Sequence, residues 1–507
     1  MKKQRRYGIV ISYINILLST FVNFFLTPML ISALSDEGYS IYKIMRSFAG
    51  PLTMMNLGVS TVVARNVAKY YSAEQNNIKE KENTFAIATV LSGMMAALVV
   101  ALGYLIGLSI PSLYSDTISP ENINIAKNMF FVFAATTAVH IFTESFRGCI
   151  LGREKYVFYY GSQTLQYVFR FLLIIILLQS GCNALHVALV DLMIALILLI
   201  GYIVYTLGVL REKIKLHYLS KNELLQFTTF AAAILLQAIV NQVNNNLDIV
   251  IMGAMINEAD VITMYSSALT IYSVYNMLVS VFTGVYLPQA TKLVSQGATG
   301  EQLTSFVIKP GRLQAMIAVC VVCGFAVTGK NFIRIWIGDQ YINAYYVALF
   351  LMIPVTIPLV ESVCISILDA KLKRIYRSVT LVIMAGINMI LTLVLVPLLG
   401  FWGALLGTVI SLLLGHVIMM NLYYYKSLSM NVVRMFKEIF SGTLLNGLIA
   451  TVITIPLSVV IRNEVSAFFV KAATFLTIYG VLTYFRGMNK EEKEMIHSII
   501  KRKKADR

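Results

Sequence analysis

The sequence predicts an all-α integral membrane protein of fourteen transmembrane helices: two six-helix lobes related by a parallel pseudo-two-fold, plus two C-terminal helices. Three observations predict it: an apolar composition, fourteen runs of membrane-spanning length, and basic residues gathered in alternate loops. Of 507 residues, 58% are hydrophobic and 13% charged, with a mean hydropathy of +0.75, whereas soluble domains carry about 25% charged residues. That balance excludes a soluble globular fold.

A bilayer core needs roughly 20 apolar residues of helix, because each residue rises about 1.5 Å and no backbone group can stay unpaired in lipid. The runs that satisfy this are 8–34, 41–64, 84–110, 126–148, 157–179, 184–210, 224–256, 261–287, 313–337, 341–368, 375–397, 401–425, 438–461 and 465–485. The first follows Lys2, Lys3, Arg5 and Arg6 and ends at Ser35-Asp36-Glu37 without a small-residue cleavage site, so it reads as a span and not as a cleavable signal. With the N-terminus placed inside, and with Lys127, Arg147, Lys330, Arg334, Arg377 and Lys471 of the run ends counted with their adjoining loops, alternate loops hold 33 of the 41 Lys and Arg residues, the loops between them hold 5, and Lys43, Arg46 and Arg170 are counted within spans. The positive-inside rule then puts both termini in the cytoplasm after an even number of crossings. The excess of 41 basic over 25 acidic residues is therefore a topology signal, with no nucleic acid implied. Outer loops are short, the longest running from Pro111 to Ile125. A membrane glycosyltransferase or polymerase needs a larger domain for donor and acceptor, so no enzyme and no cofactor are expected.

An internal repeat underlies the two lobes. Glu144-Ser145 and Ile150-Leu151 recur as Glu361-Ser362 and Ile367-Leu368 at an offset of 217, and Tyr160, Ser162, Thr164 and Leu165 recur as Tyr376, Ser378, Thr380 and Leu381 at 216. Val22-Asn23, Leu26 and Glu37 match Val243-Asn244, Leu247 and Glu258 at 221. Six helices per copy is an even number, so the copies share one orientation, related by an axis along the membrane normal. The expected domains are residues 1–210 (helices one to six), 211–425 (seven to twelve), and 426–507 (thirteen, fourteen and a basic tail).

Ionisable groups within spans cost at least ~2.5 kcal/mol and are expected to face protein, water or substrate. Arg170 lies well inside the fifth span, and Lys43 and Arg46, three apart, share a face of the second. One reading ties Arg170 to Asp191 or another carboxylate as a structural pair. The other places Arg170, Arg46 and Lys43 on a wet cavity that attracts phosphate, for which the guanidinium fork is suited. The seventh span carries Gln237, Asn241, Gln242, Asn244, Asn245, Asn246 and Asp248. Of these, Asn241, Asn245 and Asp248 are candidate substrate ligands, while interhelical hydrogen bonding is the plainer alternative. Asp191, Glu144 and Glu361 are candidates for coupling or gating.

Other motifs carry less. Cys149, Cys182, Cys320, Cys323 and Cys364 lie in or beside apolar runs and read as packing residues. Gly324-x4-Gly329-Lys330 lacks the Ser or Thr of a phosphate-binding loop. The five histidines show neither metal-ligand nor triad spacing, so no metal is expected. Gly403-x3-Gly407 reads as close packing, and Trp336 and Trp402 as interfacial anchors.

Several segments carry a family resemblance: Leu34-Ser-Asp-Glu-Gly38-Tyr39, Asn56-Leu-Gly58, Arg65-Asn66, Phe146-Arg147-Gly148-Cys-Ile-Leu-Gly152-Arg153-Glu-Lys-Tyr156, and Ile335-Trp336-Ile337-Gly338-Asp-Gln-Tyr341. In this order and spacing the chain resembles the Wzx-type polysaccharide flippases (O-antigen and exopolysaccharide) of the multidrug/oligosaccharidyl-lipid/polysaccharide exporter superfamily. The resemblance implies a two-lobe, alternating-access transporter in the bacterial inner membrane. Its implied cargo is an undecaprenyl-pyrophosphate-linked oligosaccharide moved from the cytoplasmic to the outer leaflet, with Arg46 and Arg170 serving a cationic cavity. The two terminal helices resemble those that form a lipid-tail groove in lipid II flippases. Implied partners are the polyprenyl-linked glycan, membrane lipid and a polysaccharide polymerase complex. A lipid II-type flippase and a cation-coupled multidrug extruder of the same superfamily are the alternatives, the first disfavoured by the modest number of interior arginines.

Overall fold

The structure, a computed structural model, describes residues 2–56, 58–72, 78–181, 183–218, 247–280, 286–371, 373–457, 461 and 463–494. Asn241, Asn245 and Cys182 lie outside them. Among the described residues the regular structure is helical. Ten helical stretches are long and apolar enough to cross a membrane, or eleven if Val432–Ile439 and Thr443–Thr454, bent by 41°, form one broken span. The chain divides into two compact units, Met1–Ser266 with Thr392–Ala404, and Ser267–Leu391 with Leu405–Arg507.

The first unit begins with α1 (Lys2–Ala49), which is two helical arms joined at Ser35. Ser35 takes φ 62°, ψ 168°, so the axis breaks there, and its hydroxyl caps the second arm by accepting from the Gly38 amide at 3.4 Å. Pro51, which has no N–H to give, follows the end of α1, and the chain tightens to a 3-10 turn over Gly50–Asn56. Then come α2 (Val59–Ser72), α3 (Ile78–Leu113), α4 (Ile123–Gly152), α5 (Tyr156–Gln179) and α6 (Ala184–Ile203), the last continued by a π-turn, Val204–Val209. Along α5 the apolar Leu165, Phe169, Leu172 and Ile176 recur at helical spacing and are exposed, as a lipid-facing stripe would be, while Gln166, Tyr167 and Arg170 turn inward.

Two glycines of the resembling segment explain themselves. Gly148 and Gly152 lie one turn apart on α4, against α2. A Cβ on Gly148 would stand 2.6 Å from the Ser60 carbonyl oxygen, and one on Gly152 would stand 2.8 Å from that of Ala64. Small residues at this spacing let helix backbones close up. Leucine at either position is expected to cost about 1–3 kcal/mol through overpacking, read as a lowered thermal transition of the purified protein in detergent.

The second unit contains α7 (Ala259–Ser280, whose first turns belong to the first unit), α8 (Leu287–Ser295), α9 (Gly300–Trp336), α10 (Asn343–Val360), α11 (Val363–Ala370) and α12 (Arg374–Leu399, whose last turns return to the first unit). It continues with α13 (Phe401–Leu412), prolonged by a π-turn Leu413–Met420, then α14 (Asn421–Leu428), α15 (Val432–Ile439), α16 (Thr443–Thr454) and α17 (Glu464–Leu482). The stretch containing Gly324, Gly329 and Lys330 is continuous α9, and Lys330 lies 4.9 Å over the Tyr346 ring, so no phosphate loop forms. Cys149, Cys320, Cys323 and Cys364 are free thiols, three of them buried, as packing residues would be.

Local geometry recurs between the units. Phe158 at the start of α5 stacks on Tyr205 in the π-turn after α6, with centroids 3.6 Å apart and planes at 6°. Tyr376 at the start of α12 stacks on Tyr423 just past the π-turn after α13, at 3.8 Å and 7°. Both members of the pair are offset by 218 residues.

Candidate functional site

The first unit holds a polar cavity of about 390 Å³. Four helices supply its charged and polar walls: Asn23 and Arg46 from the two arms of α1, Thr136, Thr137 and His140 from α4, Gln166, Tyr167 and Arg170 from α5, and Asp191 from α6. Thr53 of the 3-10 turn completes it. Thr53 lies within the turn that follows α1 and shares the cavity lining with Arg46.

Arg170 is the centre of the arrangement. Its Nε donates to Asp191 Oδ1 at 2.6 Å, Nη1 to Asn23 Oδ1 at 3.0 Å, and Nη2 to Tyr42 Oη at 3.0 Å and to Asp191 Oδ2 at 3.5 Å. The guanidinium side chain is only 8% exposed. Arg46 donates to the same Tyr42 hydroxyl at 2.5 Å and stands 3.6 Å from Asp191 Oδ2, but its side chain is 48% exposed. Two guanidinium groups thus share one carboxylate, leaving a formal surplus of one positive charge. The two sequence readings of Arg170 are geometrically compatible: it is paired with Asp191, and it lines the cavity.

The remaining candidates are placed as follows. Lys43 does not line the cavity; its ammonium lies 5.2 Å over the Tyr39 ring. Glu144 is buried on α4 and accepts from Arg147 Nη1 at 2.9 Å, with Arg147 stacked 4.9 Å over Tyr159. Asp248, also buried, accepts from the hydroxyls of Tyr265 (3.0 Å) and Thr392 (3.3 Å) and lies away from the cavity walls. Glu361 is in the second unit, at the end of α10.

Sequence reasoning missed Tyr42, Thr136, Thr137, His140, Gln166 and Tyr167. The signal on α4 was available, since Thr136, Thr137, His140, Glu144 and Arg147 recur at helical spacing and form one polar stripe. Lys471, grouped with the last outer loop by its basic character, instead lies buried in α17 and donates to Asn331 Oδ1 at 2.8 Å. In the second unit a separate cavity of about 340 Å³ is almost wholly apolar, walled by Val319, Val322 and Cys323 of α9, Ile353 and Ile357 of α10, and Leu444 and Leu448 of α16.

A helical chain with several membrane-length spans and a buried, charged chamber within them defines a multi-pass membrane protein. Residues 7–294 match the family described as polysaccharide biosynthesis protein, and the chain belongs to that family. In fold it is similar to the lipid II flippase MurJ in an inward closed conformation, at 14% identity over 94% of this chain and 98% of that one, with a TM-score of 0.73. It is also similar to an inward-facing multidrug resistance MATE family transporter of the MOP superfamily, at 16% identity over 83% of this chain and 96% of that one, with a TM-score of 0.59. No curated protein sequence matches the chain. The resemblance drawn from the sequence is borne out at the level of family and fold.

Proposed function

We propose that the protein is a flippase that carries an undecaprenyl-pyrophosphate-linked oligosaccharide from the cytoplasmic to the outer leaflet by alternating access, and that it is not an enzyme. The observation that carries this is the paired-guanidinium cluster of Arg46 and Arg170 on a polar cavity. A pyrophosphate esterified at both ends is a dianion whose paired phosphoryl oxygens arginine forks meet through charge-assisted hydrogen bonds. The surrounding threonines, Gln166 and Tyr167 offer neutral hydrogen bonds suited to sugar hydroxyls. Only the headgroup needs a polar path; the apolar cavity against α16 suits the polyprenyl tail.

In this reading the chain crosses the bacterial inner membrane fourteen times with both termini in the cytoplasm. Two six-helix lobes, residues 1–210 and 211–425, alternate their access, and the last two helices, within 426–507, serve the tail. The matched aromatic stacks at an offset of 218 support the duplication. Delivery to a polysaccharide polymerase complex follows from the family's role. Lipid II is the second reading, favoured by the fold match to a lipid II flippase. A multidrug extruder is disfavoured, because an arginine-walled cavity repels organic cations.

The test is reconstitution in liposomes with a fluorescent polyprenyl-pyrophosphate oligosaccharide, a labelled lipid II and a cationic dye, each followed by a membrane-impermeant quencher. The oligosaccharide carrier is expected to change leaflet fastest. Preference for lipid II moves the assignment to the second reading, dye movement alone rejects the flippase, and lengthening of the glycan marks an enzyme.

A further inference from the structure

The internal repeat pairs Glu144 with Glu361, yet the two positions are built differently. In the first copy α4 runs unbroken through Glu144, and Arg147 one turn later neutralises the carboxylate. In the second copy the residue at the matching position is Cys364, and the helix is interrupted. Helix α10, weakened by Pro354 and Pro358, ends at Val360 and α11 starts at Val363, with Glu361 and Ser362 forming the turn between them. A carboxyl group therefore sits at a break between helices, without, among the described residues, the cation its counterpart has.

Glu361 is 2% exposed, and its Oε2 has no hydrogen-bond partner among the described residues. Asn421 of α14 reaches the carboxyl. Its Oδ1 is likewise buried without a partner among the described residues, and its Nδ2, which carries two hydrogens, also donates to the His416 carbonyl at 3.2 Å. Among the described residues, the charged and titratable groups of the neighbouring elements do not supply a counter-ion. Cys364 of α11 and Tyr424 of α14 offer no positive charge, and Arg377 of α12 bears on Tyr424 and His416. Lys309 and Arg312 of α9 are held by Glu491 and Glu492, Arg434 and Glu438 of α15 pair with each other, Lys373 bonds Ser427, and Lys292 of α8 is exposed. Gln314 of α9 is spent on Ser362 and the Val279 carbonyl.

An ionised carboxylate in this setting is a buried charge with no cation beside it among the described residues, compensated only by a neutral amide. A proton on Oε2 removes that charge and turns the unmet acceptor into a donor. We propose that Glu361 is a proton-binding site, occupied in this conformation, at a hinge in the α10–α11 span, and that it releases its proton to water when the α14 side of its pocket opens. Proton binding stands independently of the cargo. Only the assignment of that opening to a transport cycle rests on the alternating-access reading.

The test compares the full-length protein with Glu361→Gln, the neutral isostere of the protonated acid. At neutral pH the wild type is expected to show an infrared carboxylic-acid carbonyl band that the variant lacks. As pH rises and the retained proton is lost, the wild-type thermal transition is expected to fall relative to that of Glu361→Gln. A spectrum unchanged by the substitution overturns the proposal. So does a Glu361→Gln protein that fails to fold at neutral pH, because an already neutral site tolerates the amide. Neither readout uses a lipid-linked substrate, so failure of the flippase reading would leave both intact.

Discussion

Arg46→Ala is expected to abolish surface polysaccharide in cells that depend on this protein, while the protein still accumulates in the membrane. The reason lies in how differently the two cavity arginines are held. Arg170 spends its donors on Asp191, Asn23 and Tyr42. Arg46, with nearly half its side chain exposed, keeps donors free for a ligand. Its removal leaves the Arg170–Asp191 pair intact, so the fold should persist, but it cancels the cavity's one formal surplus charge. A hydrogen bond to a charged group contributes about 2 kcal/mol, which is roughly 30-fold in affinity. Translocation in liposomes is expected to fall by at least that order. Arg46→Lys should recover part of the loss, since it restores the charge without the planar fork. Full translocation by Arg46→Ala would remove the cationic cavity from the mechanism.

The sequence made some of this visible for a clear physical reason. Charge in an apolar chain is costly, so each buried ionisable group is conspicuous: Arg170, Arg46, Asp191, Glu144 and Glu361 could all be named before any fold was known. What spacing could not show was convergence. Asn23 and Arg170 are 147 residues apart, and nothing in a one-dimensional pattern says that their side chains meet. Lys43 misled because three residues along a helix turn the side chain far enough to lie over Tyr39 instead of facing the cavity. Lys471 misled in the opposite sense, since the charge partition counts it with the last outer loop, whereas Asn331 gives its ammonium a buried acceptor. The prolines before Glu361 were legible as residues, but the helix break they accompany became meaningful only beside the unbroken helix at Glu144.

The largest stability effect is expected at Arg170. Arg170→Ala strands Asp191, whose side chain is 14% exposed, with Arg46 at 3.6 Å giving partial compensation. Breaking a buried pair from one side typically costs about 3–5 kcal/mol, because the remaining charge is left without its partner. Arg170→Ala/Asp191→Ala removes both charges and should be markedly more stable than the single variant, giving a coupling energy of about 2–3 kcal/mol in thermal or chemical unfolding of the detergent-solubilised protein. The same double variant decides what Arg170 does. If the residue serves only to tie α5 to α6, restoring stability by deleting both charges should restore translocation as well. If Arg170 also contributes its field to the pyrophosphate, the double variant will be folded and yet inactive, and the second outcome is the one the shared position of Arg170, Arg46 and Asp191 on a single cavity wall leads us to expect.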